Sequence, residues 1–351
     1  MTDLLKKIES QLQLGFPFAV YSKPESDTVT GIFQNNNEGY LLSDFSQKGF
    51  AFAPFDGETV CFIPEDAADV LSVIIKKDNS SLAEAQQPVI DLNAKTAFEA
   101  LVAKSVAVIQ SGAFEKLVLS RTEAVETGEG ITAIYSKLLS AYPMAFRYCF
   151  YHPNSGLWMG ATPEQLLKVE NKTLHTVALA GTQLYKEGEA AIWENKEKEE
   201  QQFVTTYIIE SLHQYTTDVR KTEPYTFRAG NIVHIKTDIS AELKDTGSLK
   251  GIVDTLHPTP AVCGLPKQGA KQFLLDNEGY DRQYYSGYLG ELNMDFDSGQ
   301  PKTDLFVNLR SMKVIGIIAH LYIGCGITKD SNPEKEFMET VNKSMTMRRV
   351  L

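Results

Sequence analysis

Strand-like runs in this chain follow one another across short gaps, and helical stretches separate one group of runs from the next. That spacing constrains the fold more than any other feature. A parallel pair of strands needs a crossover of a dozen or more residues, whereas an antiparallel pair needs only a turn. Leu305 to Arg310 and Val314 to Ile323 read as two strands separated by Ser311-Met-Lys, a hairpin-length gap, and Met144 to Tyr151 precedes Leu157 to Gly160 in the same manner. Lys116-Leu-Val-Leu-Ser-Arg121, Asn231 to Ile239 and Tyr285 to Asn293 are further strands. Helical periodicity runs through Phe98, Leu101, Val102, Val106 and Ile109, and Ser111-Gly112 ends it. Ala191 to Tyr215 reads as a long helix, Pro266 to Asp276 as one opened by its proline, and a last helix starts at Asn332-Pro333 and reaches about Val350. Mostly antiparallel sheets covered by helices make the fold class α+β, in one large unit.

Residues 1 to about 90 mix strand-like runs such as Phe16-Pro-Phe-Ala-Val-Tyr and Val60-Cys-Phe-Ile-Pro with turns, and carry no chemical motif. The polar stretch Ser80 to Asn93 is the expected boundary, so residues 1–90 form an N-terminal part of the fold and residues 91–351 the catalytic region. With 34 Lys and Arg against 45 Asp and Glu, the net charge is −11. Phosphate-backbone binding needs clustered cations, so the charge balance argues against a general nucleic-acid binder, while it leaves room for a small basic pocket that holds an organic anion. The four cysteines are far apart with no CxxC spacing, which argues against a zinc site or disulfide framework and fits a reducing cytoplasm. No signal-peptide pattern opens the chain, and no apolar run reaches the roughly 20 residues of a membrane span. A soluble cytoplasmic protein without a membrane partner is expected, and its acidic surface is compatible with a monomer.

Several side chains could carry chemistry. Glu336 and Glu339 lie three apart on the last helix, and Glu197 and Glu200 lie three apart on the long one, so each pair projects from one face. Brought together they would make an oxygen-only site suited to Mg²⁺; apart, they are solvated surface. Lys116 opens an apolar strand and is either a cleft base, if its pKa is depressed, or a strand-end lysine in water. Gly160-Ala-Thr-Pro-Glu164 reads as a turn leading into a helix, with Glu164 either complementing the helix dipole or held protonated as a general acid. Leu179-Ala-Gly-Thr182 and Gly324-Cys-Gly-Ile327 bring backbone N–H groups within reach of a carboxylate, and Arg310 could clamp one or sit in a surface ion pair. There is no HExxH, P-loop or GxSxG. Unaided, these residues suggest an enzyme acting on a small carboxylate with Mg²⁺.

Their order adds weight. Lys116-Leu-Val-Leu-Ser-Arg121, Gly160-Ala-Thr-Pro-Glu-Gln-Leu-Leu167, Ala178-Leu-Ala-Gly-Thr182, Lys196-Glu-Lys-Glu-Glu200, His257-Pro-Thr-Pro-Ala-Val-Cys-Gly-Leu-Pro266, Arg282-Gln-Tyr-Tyr-Ser-Gly287, Gly324-Cys-Gly-Ile327 and Glu336-Phe-Met-Glu-Thr340 occur in that sequence. The series, over roughly residues 95 to 350, resembles the chorismate-utilising enzymes, most closely the isochorismate synthases. The resemblance implies a single chorismate-binding fold with two sheets flanked by helices. It implies Lys116 as the base that activates water for attack at C2 of chorismate, Glu164 as the acid for the departing C4 hydroxyl, and His257 beside that hydroxyl. It assigns Mg²⁺ to Glu200, Glu336 and Glu339, and substrate contacts to Ala180, Gly181, Thr182, Arg310, Tyr322, Gly324, Gly326 and Lys343.

Within the family, aminodeoxychorismate synthases that use a lysine nucleophile place it in the Ala-Gly-Thr motif, where this chain has Ala180. Anthranilate synthases usually carry Pro-Ile-Ala-Gly-Thr and a longer N-terminal region; here the motif opens Ala178-Leu. Salicylate synthase, which adds pyruvate elimination, is the alternative product reading, and a catalytically silent carboxylate-binding relative is the alternative class. Gln201 stands where the family often has His, and Thr162 where Ser is common, which bears on hydrogen bonding around the site and not on the reaction class.

Overall fold

A computed structural model describes residues 1–75, 88–229 and 232–351. Most of the Ser80–Asn93 boundary stretch therefore lies outside the described residues. Seven α-helices are described: α1 (Thr2–Leu14), α2 (Leu92–Gln110), α3 (Ile131–Ala141), α4 (Asn195–Leu212), α5 (Leu249–Leu256), α6 (Lys267–Asn277) and α7 (Pro333–Arg348). The strands form two nine-stranded sheets, and every described pairing is antiparallel. In spatial order, the first sheet runs Gly264–Leu265, Lys116–Glu126, Ile318–Ile327, Ser311–Ile315, Gly156–Thr162, Phe146–His152, Phe18–Ser22, Thr28–Gln34 and Ala68–Ile74. The second runs Thr216–Lys221, Ile232–Leu243, Thr173–Leu184, Gln165–Glu170, Lys302–Val307, Tyr288–Leu292, Gly49–Ala53 and Cys61–Pro64, with Tyr225–Ala229 also paired to Ile232–Leu243. The first 75 residues thus supply strands to both sheets.

The sheets face each other across an aromatic layer. Phe52 meets Phe150 edge-on at 4.6 Å, and Phe146 stacks on Phe306 at 4.3 Å, each pair taking one ring from either sheet. Such pairs add roughly 0.5–1.5 kcal/mol beyond the area they bury. The outer faces are covered by helices, with Leu4, Ile8, Ile134 and Leu138 of α1 and α3 on the first sheet and Val204, Ile208, Ile252 and Leu256 of α4 and α5 on the second. Among the described residues no helix is long and apolar enough to cross a membrane.

Two local expectations are overturned. The segment after Glu164 is a strand, not a helix. Gln165–Glu170 is laddered on one side to Thr173–His175 and on the other to Lys302–Phe306, and Asn171 and Lys172 both take positive φ (50° and 65°), the backbone of a two-residue hairpin turn. Lys302–Val307 also does not form a hairpin with the strand that follows. It belongs to the second sheet, whereas Ser311–Ile315 is itself a strand of the first and pairs with Ile318–Ile327. Asn308–Arg310 crosses between the sheets, with Arg310 at φ 47°, and that left-handed residue breaks the run the sequence shows as continuous.

Candidate active site

A cavity of about 150 Å³ opens where the two sheets meet α4 and α7. Lys116, at the start of its strand, is 3% exposed and donates to Glu200 of α4 at 2.6 Å. Both lie over Gly326, where a Cβ would stand 3.2 Å from Lys116 Cε and 3.3 Å from Glu200 Oε1, so the glycine makes room for the pair. From α7, Glu339 is bridged to Lys343 at 2.6 Å, and Lys343 also donates to the Gly324 carbonyl at 3.0 Å. Asn332 caps α7 by accepting from the Lys335 N–H at 3.1 Å, and Pro333 occupies the first turn, so the entry expected at Asn332-Pro333 sets the phase of the helix that carries these groups.

Glu164 is fixed between the two strands that flank it. Its N–H donates to Thr162 Oγ1 at 3.3 Å and its carbonyl accepts from Val307 N–H at 2.9 Å, while Thr162 donates onward to the Val307 carbonyl at 2.6 Å. The side chain is 7% exposed and lines the cavity. Burial raises its pKa from 4.5 to about 7, against the opposing pull of Lys116, Thr259 and Lys343. It therefore keeps its proton well above the usual carboxylate range. Arg310, carried in by the crossover, and Tyr322, stacked on Tyr285 at 5.6 Å, complete the wall beyond Lys343.

Of the residues expected at the site, Lys116, Glu164, Ala180, Gly181, Glu200, Arg310, Tyr322, Gly324, Gly326, Glu339 and Lys343 all line this one cavity. The Thr182 side chain lies outside the described residues. Glu336 is buried one turn before Glu339 and is not among the lining side chains. His257 is not brought to the cavity either: its Nε2 pairs with the Pro54 carbonyl at 3.0 Å and its ring meets Tyr288 edge-on. Burial, with Lys267 nearby, lowers its pKa to about 3, so it is a neutral ring at the C-terminus of α5.

The cavity also holds groups the motif reading did not assign. Glu197 lines it, and the spacing of Glu197 and Glu200 was the available signal. His234 lines it as well, with Nδ1 2.8 Å from the Gly181 carbonyl, which makes Nδ1 the protonated nitrogen. Burial lowers its pKa to about 4, so it too is neutral. No motif pointed to it. Gln201, in place of the family's common histidine, donates to Thr205 and Thr237 at 2.8 and 2.7 Å and so braces α4 against the second sheet.

Among the described residues, no three His, Cys, Asp or Glu side chains form a preassembled metal cluster. The donor set nevertheless fits a hard divalent cation. Glu197, Glu200 and Glu339 bring oxygens only to the cavity, and Glu197 Oε2 is buried without a hydrogen-bond partner.

The chain is 31% identical over 268 residues to the salicylate biosynthesis isochorismate synthase of Pseudomonas aeruginosa, covering 72% of this chain and 54% of that protein. It is 27% identical over 276 residues to anthranilate synthase component 1 of Aeropyrum pernix, covering 72% of this chain and 59% of that protein. The matched region thus spans little more than half the length of these relatives. The menaquinone-specific isochorismate synthase MenF of Escherichia coli shares the fold, with a TM-score of 0.81 at 20% identity over 99% of this chain and 91% of that one. A family described as chorismate binding enzyme matches residues 64–351, and on that match, with the cavity built from its ordered motifs, the chain belongs to the chorismate-binding enzymes.

Proposed function

We propose that the chain is an isochorismate synthase, isomerising chorismate by adding water at C2 and releasing the C4 hydroxyl as water. The observation that carries this reading is the placing of Lys116 and a buried Glu164, held near pKa 7, on one cavity. Water is a poor nucleophile and hydroxide a poor leaving group, so the reaction needs a base and an acid together. Lys116, as the free amine, takes a proton from the attacking water while the C2–O bond forms. The C1=C2 and C5=C6 electron pairs shift to C1=C6 and C4=C5, the C4–O bond breaks, and Glu164 protonates the departing oxygen. Arg310 and Lys343 face the same space and suit the enolpyruvyl carboxylate.

The lining charge calls for a cation beside an anionic substrate. With Glu164 protonated and Lys116 as the free amine, Arg310 and Lys343 face Glu197, Glu200 and Glu339, so the side chains alone do not offset a dianion. Glu200 and Glu339, with Glu197 and Glu336 one turn away on the same helices, would hold Mg²⁺, whose two positive charges would offset the substrate's negative charge beside its ring carboxylate.

Product analysis of the purified chain with chorismate, with Mg²⁺ or EDTA and with or without ammonium, tests the reading. Isochorismate alone, dependent on Mg²⁺, is the expected result. Salicylate with pyruvate would replace it by the salicylate synthase reading, an ammonium-dependent amino product by an amino-transferring one, and binding without turnover by a silent relative.

A further inference from the structure

The motif Arg282-Gln-Tyr-Tyr-Ser-Gly287 takes no part in the chemistry above, yet its first residue is the most heavily hydrogen-bonded cation described in the protein. Arg282 and Glu278 pair at 2.5 Å with both side chains only 2% exposed, and Arg282 Nε donates to the second Glu278 oxygen at 2.7 Å. The remaining donors reach two backbone carbonyls, Val262 at 2.9 Å and Val118 at 2.6 Å. Glu278 in turn accepts from the Ser120 N–H at 2.7 Å and its hydroxyl at 2.9 Å. The guanidinium also lies over the Phe55 ring at 4.5 Å. Val118, Val262, Tyr285 and Ser286 all line the candidate active site.

The loop that Arg282 begins is strained. Gln283 and Ser286 both take positive φ (50° and 62°), and Gly287 is so close to the Ala53 carbonyl that a Cβ there would stand 1.9 Å from it. Such backbone persists only where its surroundings over-determine it. The strand holding Lys116 touches the pair at Val118 and Ser120 but does not depend on it, being laddered to Ile318–Ile327 along most of its length. Glu164 is likewise held by Thr162 and Val307. We infer that Arg282 is a positioning residue: through its bidentate pair with Glu278 it holds the Tyr285–Ser286 wall against the cavity and so sets how tightly the substrate is bound, leaving the base and the acid in place. The substrate part of this inference rests on the function proposed above. A lysine cannot replace the guanidinium, because it lacks the planar fork that serves a carboxylate and two carbonyls at once.

The test compares the full chain with its Arg282→Lys variant in two ways. Amide hydrogen exchange at Ser286 and Gly287, whose N–H groups bond the Asn308 and Tyr284 carbonyls at 2.9 and 3.0 Å, is expected to speed up at least ten-fold, with the Lys116–Glu126 amides unchanged apart from Ser120, whose N–H bonds Glu278. With Mg²⁺ and chorismate, KM is expected to rise at least ten-fold, with kcat within about three-fold and the pH profile unmoved. Unchanged exchange at the two amides, or an equal rise throughout the chain, overturns the positioning role. A fall in kcat at constant KM overturns the binding role. If the wild type is inert toward chorismate, the functional reading fails and the exchange comparison still decides the positioning role. Ser120→Ala, which removes the hydroxyl's bonds to Glu278 and from Tyr280 and leaves the buried pair intact, provides a milder variant in case Arg282→Lys does not fold. The same pattern at about three-fold is expected of it, and wild-type exchange and KM in that variant would overturn the inference.

Discussion

Replacing Glu164 by glutamine keeps the size and polarity of the side chain and removes its charge. In the wild type the carboxyl titrates at about 7 in the folded chain and near 4.5 when unfolded, because burial penalises the carboxylate. Over that window the folded state holds more protons than the unfolded state, so its stability falls as pH rises. The move from 4.5 to about 7 corresponds to about 3 kcal/mol at pH 8, almost none of it felt at pH 4. Glutamine does not titrate. The stability difference between Glu164→Gln and wild type should therefore grow by about 3 kcal/mol in favour of the variant between pH 4 and pH 8, most steeply between pH 5 and 7. Urea denaturation at several pH values, with EDTA present, measures it. In parallel, chorismate turnover at pH 7 should fall by about 10²–10⁴-fold. A stability difference that stays flat from pH 5 to 8 would refute the reasoning, since Glu164 would then ionise like an exposed carboxyl and could not serve as the acid.

Lys116→Ala should lower turnover by about 10²–10⁴-fold, followed by chromatography of the product, while chorismate still quenches or shifts intrinsic fluorescence on binding. Gly326→Ala places a methyl group 3.2 Å from Lys116 Cε and 3.3 Å from Glu200 Oε1 and should cut turnover at least ten-fold, with little change in thermal midpoint by calorimetry. Asn332→Ala removes the cap of α7 and should cost about 1 kcal/mol in urea denaturation without altering the product. Mg²⁺ removal by EDTA should abolish turnover, and Mg²⁺ readdition should restore it.

Helices were the most legible elements, because their signals are local. The Asn332-Pro333 cap gave α7 to within about two residues and Ser111-Gly112 the end of α2, while α4 starts four residues later than read and α3 and α5 gave no signal that was read. Strands were found, but not the sheets they join. Nothing local in Phe306-Val-Asn-Leu-Arg310 says that the chain leaves one sheet for the other, since that is decided by the backbone of Arg310 and by partners distant in sequence. Glu164 illustrates the same limit at the site. The motif marked it as a candidate acid, but its surroundings come from two flanking strands and not from a helix dipole. His257 sits in a recognisable motif and yet turns to Pro54, whereas His234 reaches the cavity from a strand with no motif at all. Type and order of residues reveal chemistry more readily than direction of side chains does.

The sharing of strands between the first 75 residues and the remainder also bears on how the chain reaches its native state. Tyr21 OH bonds Glu291 across 270 positions of sequence, and Gly49–Ala53 pairs with Tyr288–Leu292. Closure of such long loops precedes any reward from the contacts they bring, so folding is slow. During synthesis at about 5–20 residues per second, the early strands wait many seconds for partners made near the end of translation, with Phe50, Phe52 and Phe62 uncovered meanwhile. The same sharing that seals the aromatic layer leaves apolar strands exposed during synthesis, the condition under which chaperones act, and it means that deletion of the N-terminal part removes strands from both sheets at once.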